Sequence, residues 1–157
     1  MRSYAVTVTW TGNLGQGTRT YTGYRRDHTV GADGPPSIPG SSDPAYRGDP
    51  TRWNPEQLLL AAVSQCHMLW YLHLCADAGV EVVDYLDAAA GTVTEHPDGS
   101  GEFTQITLRP AVTIADPGMS ERALALHADV GPLCTIARSL AVPVHHEPSV
   151  SSAPRPR

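Results

Sequence analysis

One long apolar segment constrains the fold of this 157-residue chain more than any other feature. Asn54, Pro55 and Glu56 indicate a helix start, because Asn is a good N-cap, Pro suits the first helical position and Glu favours the first turn. Residues 58–78 are then apolar on nearly every side of the predicted helix, and Gly79 marks its end. A helix that is apolar all round must be buried all round, which one small sheet cannot achieve. The segment therefore predicts that a partner subunit completes the burial.

Alternating apolar and polar residues predict β-strands on both sides of this helix. Before the helix, residues 4–10, 18–24 and 28–32 have this pattern. Residues 33–53 are rich in proline and predict an irregular loop, of a length that is often functional. The elements predicted after the helix are strands at 80–95, 102–114 and 142–146 and helices at 116–130 and 133–140.

The length of the chain fits one domain, and a hydrophobic fraction of 41% is enough for a packed core without disulfides or metals. We assign this domain to residues 1–148. Residues 149–157 are rich in proline and serine, and they predict a disordered C-terminal tail.

Charge and composition exclude several classes of function. The formal net charge is −5 and no basic run is present, which argues against nucleic acid as a partner. All the fixed positive side chains are arginines, so Schiff-base chemistry and a Walker-type phosphate lysine are excluded. The most apolar run, residues 58–63, is too short to span a bilayer. A strand pattern follows Met1 in place of a secretory signal, and we expect a cytoplasmic protein.

The three cysteines are better explained as reactive or buried thiols than as a structural disulfide framework. Cys66 lies in the middle of the apolar helix, where an inert packed thiol and a nucleophile both fit the sequence. Cys75 lies on the opposite face of the same helix, about 13 Å further along its axis. These two cannot form a disulfide without disrupting the helix. Cys134 is therefore the candidate partner of Cys66 within one chain.

A zinc site is the rival interpretation of the same residues. No C-x-x-C or H-x-x-x-H pair is present, and His67 points about 100° around the helix from Cys66. His145 and His146 face opposite sides of the last predicted strand. We therefore expect no metal, and the absence of a G-x-S-x-G turn argues against a serine hydrolase. The side chains considered as zinc ligands are Cys66, His67, His73, His127 and Cys134.

Residues 54–67 resemble the hallmark of the OsmC/Ohr family, in which an N-P-E-x-L-x-x-A helix start leads to a cysteine ten residues after the glutamate. Glu56 and Cys66 keep that interval. Residues 133–139, Leu-Cys-Thr-Ile-Ala-Arg-Ser, are similar to the second cysteine site of the family. The resemblance extends over residues 4–148. Further similarity to the OsmC-like branch lies at Gly91, 108–110 and 144–148.

The resemblance implies an α+β fold, an OsmC-like intertwined homodimer in which antiparallel sheets wrap around long central helices. It also implies an enzyme that reduces organic hydroperoxides without a cofactor. Cys66 is then the peroxidatic cysteine, Cys134 the resolving cysteine, and Glu56 the partner of an arginine that holds the thiolate. We choose Arg47 as that arginine, because it lies in the loop before the helix. The alternatives, in the N-terminal hairpin, are Arg19, Arg25 and Arg26.

The spacing of Glu56 and Cys66 bears on whether one subunit can form the site alone. Ten residues on one helix span about 15 Å, which is a long reach for one arginine between them. Two antiparallel central helices would instead bring Glu56 of one subunit beside Cys66 of the other. We therefore expect two active sites per dimer, both at the subunit interface.

In the mechanism that this implies, a peroxide oxidises Cys66 to a sulfenic acid, and Cys134 condenses with it to a disulfide. A dithiol or lipoyl-type reductant then restores both thiols. An alternative of another class is an OsmC-like stress or small-ligand-binding dimer with little or no peroxidase activity. In that alternative, Cys66 is a packed thiol.

Overall fold

The computed structural model describes residues 1–153, which divide into two compact units, and the first unit is residues 1–59. Its three-stranded sheet is antiparallel, and the strands are β1 (Thr7–Trp10), β2 (His28–Gly31) and β3 (Ile38–Gly40). β2 is the central strand. Pro39 has no N–H to donate, and it is tolerated because β3 lies at the edge of the sheet.

Two predictions in this unit are wrong. Residues 18–24 form turns instead of a strand, because Arg26 holds this segment in a compact conformation. Its guanidinium stacks over the rings of Tyr21 and Tyr24, 4.3 and 4.1 Å from their centroids, and donates hydrogen bonds to the carbonyl oxygens of the same two residues. The loop predicted at 33–53 is partly regular. It contains β3 and a 3-10 helix, Pro44–Tyr46.

The predicted long helix is confirmed as α1 (Pro55–Asp77), which begins in the first unit and continues in the second. Its start is a reciprocal cap. The Asn54 side chain accepts from the Gln57 backbone N–H at 2.8 Å, and the Gln57 side chain accepts from the Asn54 N–H at 3.1 Å. Gly79 follows the helix with φ of +72°, the left-handed conformation that ends helices and that glycine adopts without strain.

Burial along α1 within one chain is limited to a stripe. The buried residues recur every fourth position, whereas Leu69 between them is 60% exposed. The all-round burial that the sequence predicts is therefore not achieved by a single chain. Residues 58–63 alone are too short to cross a bilayer, but by length and hydropathy the whole of α1 would suffice, a criterion that core helices of globular proteins also meet. The stripe consists of Val63, His67, Tyr71 and Cys75.

The second unit begins at Leu60, and beyond α1 its described residues form six strands, two α-helices and a 3-10 helix, Pro117–Met119. The strands are β4 (Val82–Asp87), β5 (Ala90–Glu95), β6 (Gly101–Leu108), β7 (Pro110–Ile114), β8 (Val144–His146) and β9 (Ser149–Ser152). The helices are α2 (Ser120–Val130) and α3 (Thr135–Arg138). One sheet has the order β4-β7-β9 and the other β5-β6-β8, with only the β6–β8 and β7–β9 pairs parallel. The predicted α+β class with antiparallel-rich sheets is confirmed.

The C-terminal strand corrects another prediction. Ser149–Ser152 do not belong to a disordered tail, because β9 pairs in register with β7 and half-buried Val150 packs on the core. The chain beyond Ala153 lies outside the described residues. The single strand predicted at 102–114 is likewise two strands in two sheets, divided at Arg109. The assignment of one domain to residues 1–148 stays a prediction.

The core of the second unit forms two clusters around α1. The larger joins the C-terminal half of α1, β7 and α2, with Tyr71 and Ile114 fully buried. The smaller joins Val63 of α1 to Ile106 and Leu108 of β6. α1 is thereby fixed against both sheets of this unit, which determines the position of Cys66.

Candidate active site

The structure brings Cys66 and Cys134 together although 68 residues separate them in sequence. The Cys134 thiol donates to the Cys66 sulfur, and the two Sγ atoms are 2.8 Å apart. Both are free cysteines. Disulfide formation requires the two Sγ atoms to approach to about 2.05 Å, so only a small movement would join them. Cys66 is half-buried and Cys134 is 2% exposed, which leaves Cys66 the more accessible thiol.

The turn after α2 determines the place of Cys134. The carbonyl oxygen of Val130, the last residue of α2, accepts from the backbone N–H of Leu133 at 2.9 Å and of Cys134 at 3.0 Å. Cys134 then caps α3, and its sulfur accepts from the Ala137 N–H at 3.4 Å. Gly131 and Pro132, which interrupt the predicted helix, thus form the bend that directs Cys134 toward α1.

The environment keeps Cys134 protonated at neutral pH. Burial, and next the neighbouring Cys66 thiol, raise the pKa of Cys134 to about 11, and the Ala137 N–H opposes this only in part. The buried Cys134 is thus a thiol that can supply a proton, and the more exposed Cys66 is the accessible sulfur.

Cys75 takes no part in the pair. It lies in the hydrophobic core beside Tyr71, with 1% of its surface exposed. Burial raises the pKa of the Cys75 thiol, which disfavours its reactive thiolate form. Cys75 is therefore a packed thiol of the core.

The candidate arginines and Glu56 lie in the first unit. Arg47 has φ of +65°, the only positive φ of a non-glycine residue in the described chain, and this left-handed residue ends the 3-10 helix Pro44–Tyr46. Arg47 and Arg25 line the same cleft of about 290 Å³, together with Asp27 and Asp49. The predicted arginines from the loop and from the hairpin therefore converge on one cavity. Glu56 is exposed in the first turn of α1.

Arg26 and Arg19, the other two candidates for the arginine that holds the Cys66 thiolate, have different surroundings. The guanidinium of Arg26 is engaged with two tyrosine rings of its own turn. Arg19 is exposed, and its backbone N–H is bonded to the carbonyl oxygen of Gln16. These positions favour Arg47 and Arg25 over the other two.

A histidine cluster on α1, α2 and β8 is a feature that the sequence did not signal. In the second unit the ring of His67 contacts those of His127 and His146, with centroid distances of 5.2 Å and 4.5 Å. Within residues 1–153 no group of three or more His, Cys, Asp or Glu side chains is arranged to hold a metal ion. His67 and His127 are two of the candidate zinc ligands, but they lie 60 residues apart in sequence, and no local pattern predicts their contact.

Comparison with known proteins places this geometry in a family. A model of the family described as OsmC-like protein matches residues 48–148. An OsmC-like protein of unknown function from Vibrio cholerae has a similar structure, with a TM-score of 0.80 and 28% identity over 95% of this chain and 100% of the other. Among curated proteins, no sequence matches.

Two further structures share the fold at lower identity. An organic hydroperoxide resistance protein OsmC from Legionella pneumophila has a TM-score of 0.69 and 17% identity, with 96% of this chain and 98% of that one covered. The organic hydroperoxide resistance protein OhrB of Bacillus subtilis has a TM-score of 0.62 and 18% identity, with the same coverage. Since the family match extends over more than half of the sequence, the chain belongs to the OsmC-like protein family.

Proposed function

We propose that this chain is a thiol-dependent peroxidase that reduces organic hydroperoxides through Cys66 and Cys134. The observation that carries the proposal is the 2.8 Å separation of their sulfur atoms, one accessible and one buried. The relatives from Legionella pneumophila and Bacillus subtilis, which are named organic hydroperoxide resistance proteins, support the choice of substrate class.

The reaction proceeds in three balanced steps. The Cys66 thiolate attacks the distal peroxide oxygen, the O–O bond breaks, and the alkoxide takes a proton and leaves as the alcohol, so that Cys66 becomes a sulfenic acid. The Cys134 sulfur then attacks the Cys66 sulfur, forming the disulfide and releasing water with the Cys134 proton. A dithiol or lipoyl-type reductant finally returns two electrons and two protons and is itself oxidised to a disulfide.

Arg47 is the residue that we propose to hold the Cys66 thiolate and the peroxide oxygen, with Glu56 orienting its guanidinium. The place of Arg47 in the loop directly before α1 supports this choice. Arg25 is the second candidate, because it lines the same cleft.

The active enzyme in this proposal is a homodimer with two active sites at its interface. The apolar face of α1 that one chain leaves open supports this, since Leu69, Trp70 and His73 line an apolar cleft there. A partner helix would cover this face. Free thiols so close together also fit a reducing compartment, and we propose a cytoplasmic location.

The test is the consumption of cumene hydroperoxide with dihydrolipoamide as the reductant. Cys66→Ser should abolish turnover, and Cys134→Ser should stop the cycle at the Cys66 sulfenic acid. Cys75→Ser is the matched control and should keep full activity, because its thiol is buried in the core. Full turnover by Cys66→Ser would contradict the proposal. No turnover by the unmodified chain would favour the OsmC-like stress or small-ligand-binding dimer.

A further inference from the structure

The proposed chemistry leaves a buried histidine pair unexplained. His67 follows Cys66 directly on α1, and His127 lies in the last turn of α2. The Nε2 of His67 and the Nδ1 of His127 are 2.9 Å apart, so one ring donates a hydrogen bond to the other. The rings are nearly parallel, with an interplanar angle of 2°.

This ring–ring hydrogen bond joins the two short stretches that carry the reactive sulfurs. On α1, His67 is the immediate neighbour of Cys66. On α2, Val130 lies three residues after His127 and accepts the backbone N–H of Cys134 at 3.0 Å. The position of Cys134 is thus tied to the last turn of α2, and that turn is tied to α1 through His127.

Neighbouring groups hold His127 in this orientation. Tyr71 of α1 stacks on the His127 ring with 3.8 Å between centroids and an interplanar angle of 9°. Tyr71 also donates its hydroxyl to the carbonyl oxygen of Ala123 on α2, at 3.0 Å. On the β8 side, His146 contacts His67.

Stability alone does not explain a polar pair at this place. Both histidines are 2% exposed, and the Nε2 of His127 has no hydrogen-bond partner among the described residues. A buried polar atom without a partner costs folding free energy, which an apolar ring of similar size would avoid. What the histidines add is a directional bond that fixes the distance between α1 and α2.

We propose that His67 and His127 are positioning residues for the disulfide step, and that their hydrogen bond holds Cys134 against Cys66. This inference deepens the proposed function and rests on it, because it takes the Cys66–Cys134 disulfide as the intermediate of the cycle. This role needs no contact between either histidine and the substrate. Their hydrogen bond raises the effective concentration of the Cys134 sulfur at the Cys66 sulfur.

The experiment equilibrates the full chain with mixtures of reduced and oxidised dithiothreitol. In this exchange the protein dithiol gives two electrons and two protons to the dithiothreitol disulfide, so the Cys66–Cys134 bond forms as the reagent bond breaks. The fraction oxidised is measured by alkylation and mass spectrometry. His127→Phe keeps the stacked ring and removes the hydrogen bond, whereas His127→Asn places an amide near the Nδ1 position and restores it.

We expect His127→Phe to lower the equilibrium constant for disulfide formation about tenfold, which raises the reduction potential by about 30 mV. His127→Asn should stay within about threefold of the unmodified chain. Ile106→Val, a core substitution in the smaller cluster, is the control for general destabilisation and should leave the constant unchanged. If circular dichroism shows that the Phe variant is unfolded, His127→Gln replaces it, with the same fall expected, because its amide lies at the Nε2 end.

An unchanged constant in His127→Phe, or equal losses in the Phe and Asn variants, would overturn the inference. The exchange uses no hydroperoxide, so its outcome is separate from that of the proposed function. A chain that forms the Cys66–Cys134 disulfide with oxidised dithiothreitol but does not react with cumene hydroperoxide would contradict the proposed peroxidase activity and leave the positioning role intact.

Discussion

The hydroxyl of Tyr71 donates a hydrogen bond to the carbonyl oxygen of Ala123, 3.0 Å away, and links α1 directly to α2. Tyr71 is fully buried, and burial raises the pKa of its hydroxyl, so the group remains a donor at all ordinary pH values. We predict that Tyr71→Phe lowers the free energy of unfolding by about 1 kcal/mol, and that Tyr71→Ala lowers it by about 3–5 kcal/mol.

Urea unfolding monitored by circular dichroism measures both losses. Tyr4→Ala is the matched control, because Tyr4 is 87% exposed and its replacement should change the free energy of unfolding by less than about 0.5 kcal/mol. Equal stabilities of Tyr71→Ala and Tyr4→Ala would contradict the central position that the structure gives to Tyr71.

The buried histidines predict a loss of stability in mild acid. Burial first, and next the charge of His146, lower the pKa of His67 to about 3 and that of His127 to about 4. The unfolded chain therefore binds protons on these rings at pH values at which the folded chain does not. The stability that this adds is complete above about pH 6.5, the ordinary value for histidine, and is lost as the pH falls toward about 4.

The groups around the histidine cluster change the size of this pH effect but not its direction. Burial lowers the pKa of His146 also, while the carboxylate of Asp87 on β4 opposes that shift. We expect the free energy of unfolding to fall by a few kcal/mol between about pH 7 and about pH 5, and by distinctly less in His127→Phe. Urea midpoints at the two pH values provide the measurement, and parallel pH dependences in the two chains would refute this assignment.

Replacement of Arg47 should reduce activity without reducing stability. Its positive φ costs about 1–2 kcal/mol in a residue with a Cβ, and glycine adopts that conformation without this cost. We therefore predict that Arg47→Gly keeps the free energy of unfolding within about 1 kcal/mol or raises it, while kcat/KM for cumene hydroperoxide falls about 100-fold. Arg19→Gly is the matched control and should keep its activity. If Arg25→Ala loses activity and Arg47→Gly does not, the role passes to Arg25.

The C-terminal strand predicts which truncations the fold tolerates. Val150 packs on the core, and the Ala153 N–H donates to the carbonyl oxygen of Ile114 at 2.8 Å. A chain that ends at Pro148 loses these contacts and should unfold at a urea concentration well below that of the full chain. A chain that ends at Ala153 keeps them and is the matched control. Equal midpoints for the two truncations would show that β9 contributes nothing to stability.

The sequence predicted best where the signals are local. The N-cap, the first-turn proline and the following glycine defined α1 almost to its bounds. Helix geometry excluded Cys75 as a disulfide partner of Cys66 and left Cys134, which the structure brings beside Cys66. Long-range contacts carried no such signal. The pairing of β9 with β7 makes a strand of Ser149–Ser152, although the local composition resembles a tail. The histidine cluster likewise depends on the packing of α1 against α2.

Disulfide mapping after one equivalent of cumene hydroperoxide shows whether Cys66 and Cys134 form a redox-active pair. The reduced chain is mixed with the peroxide, quenched by alkylation after a few seconds, and digested without reduction for mass spectrometry. We expect a Cys66–Cys134 disulfide, with Cys75 alkylated as a free thiol. Cys66 and Cys134 that both remain reduced would contradict the two-cysteine mechanism.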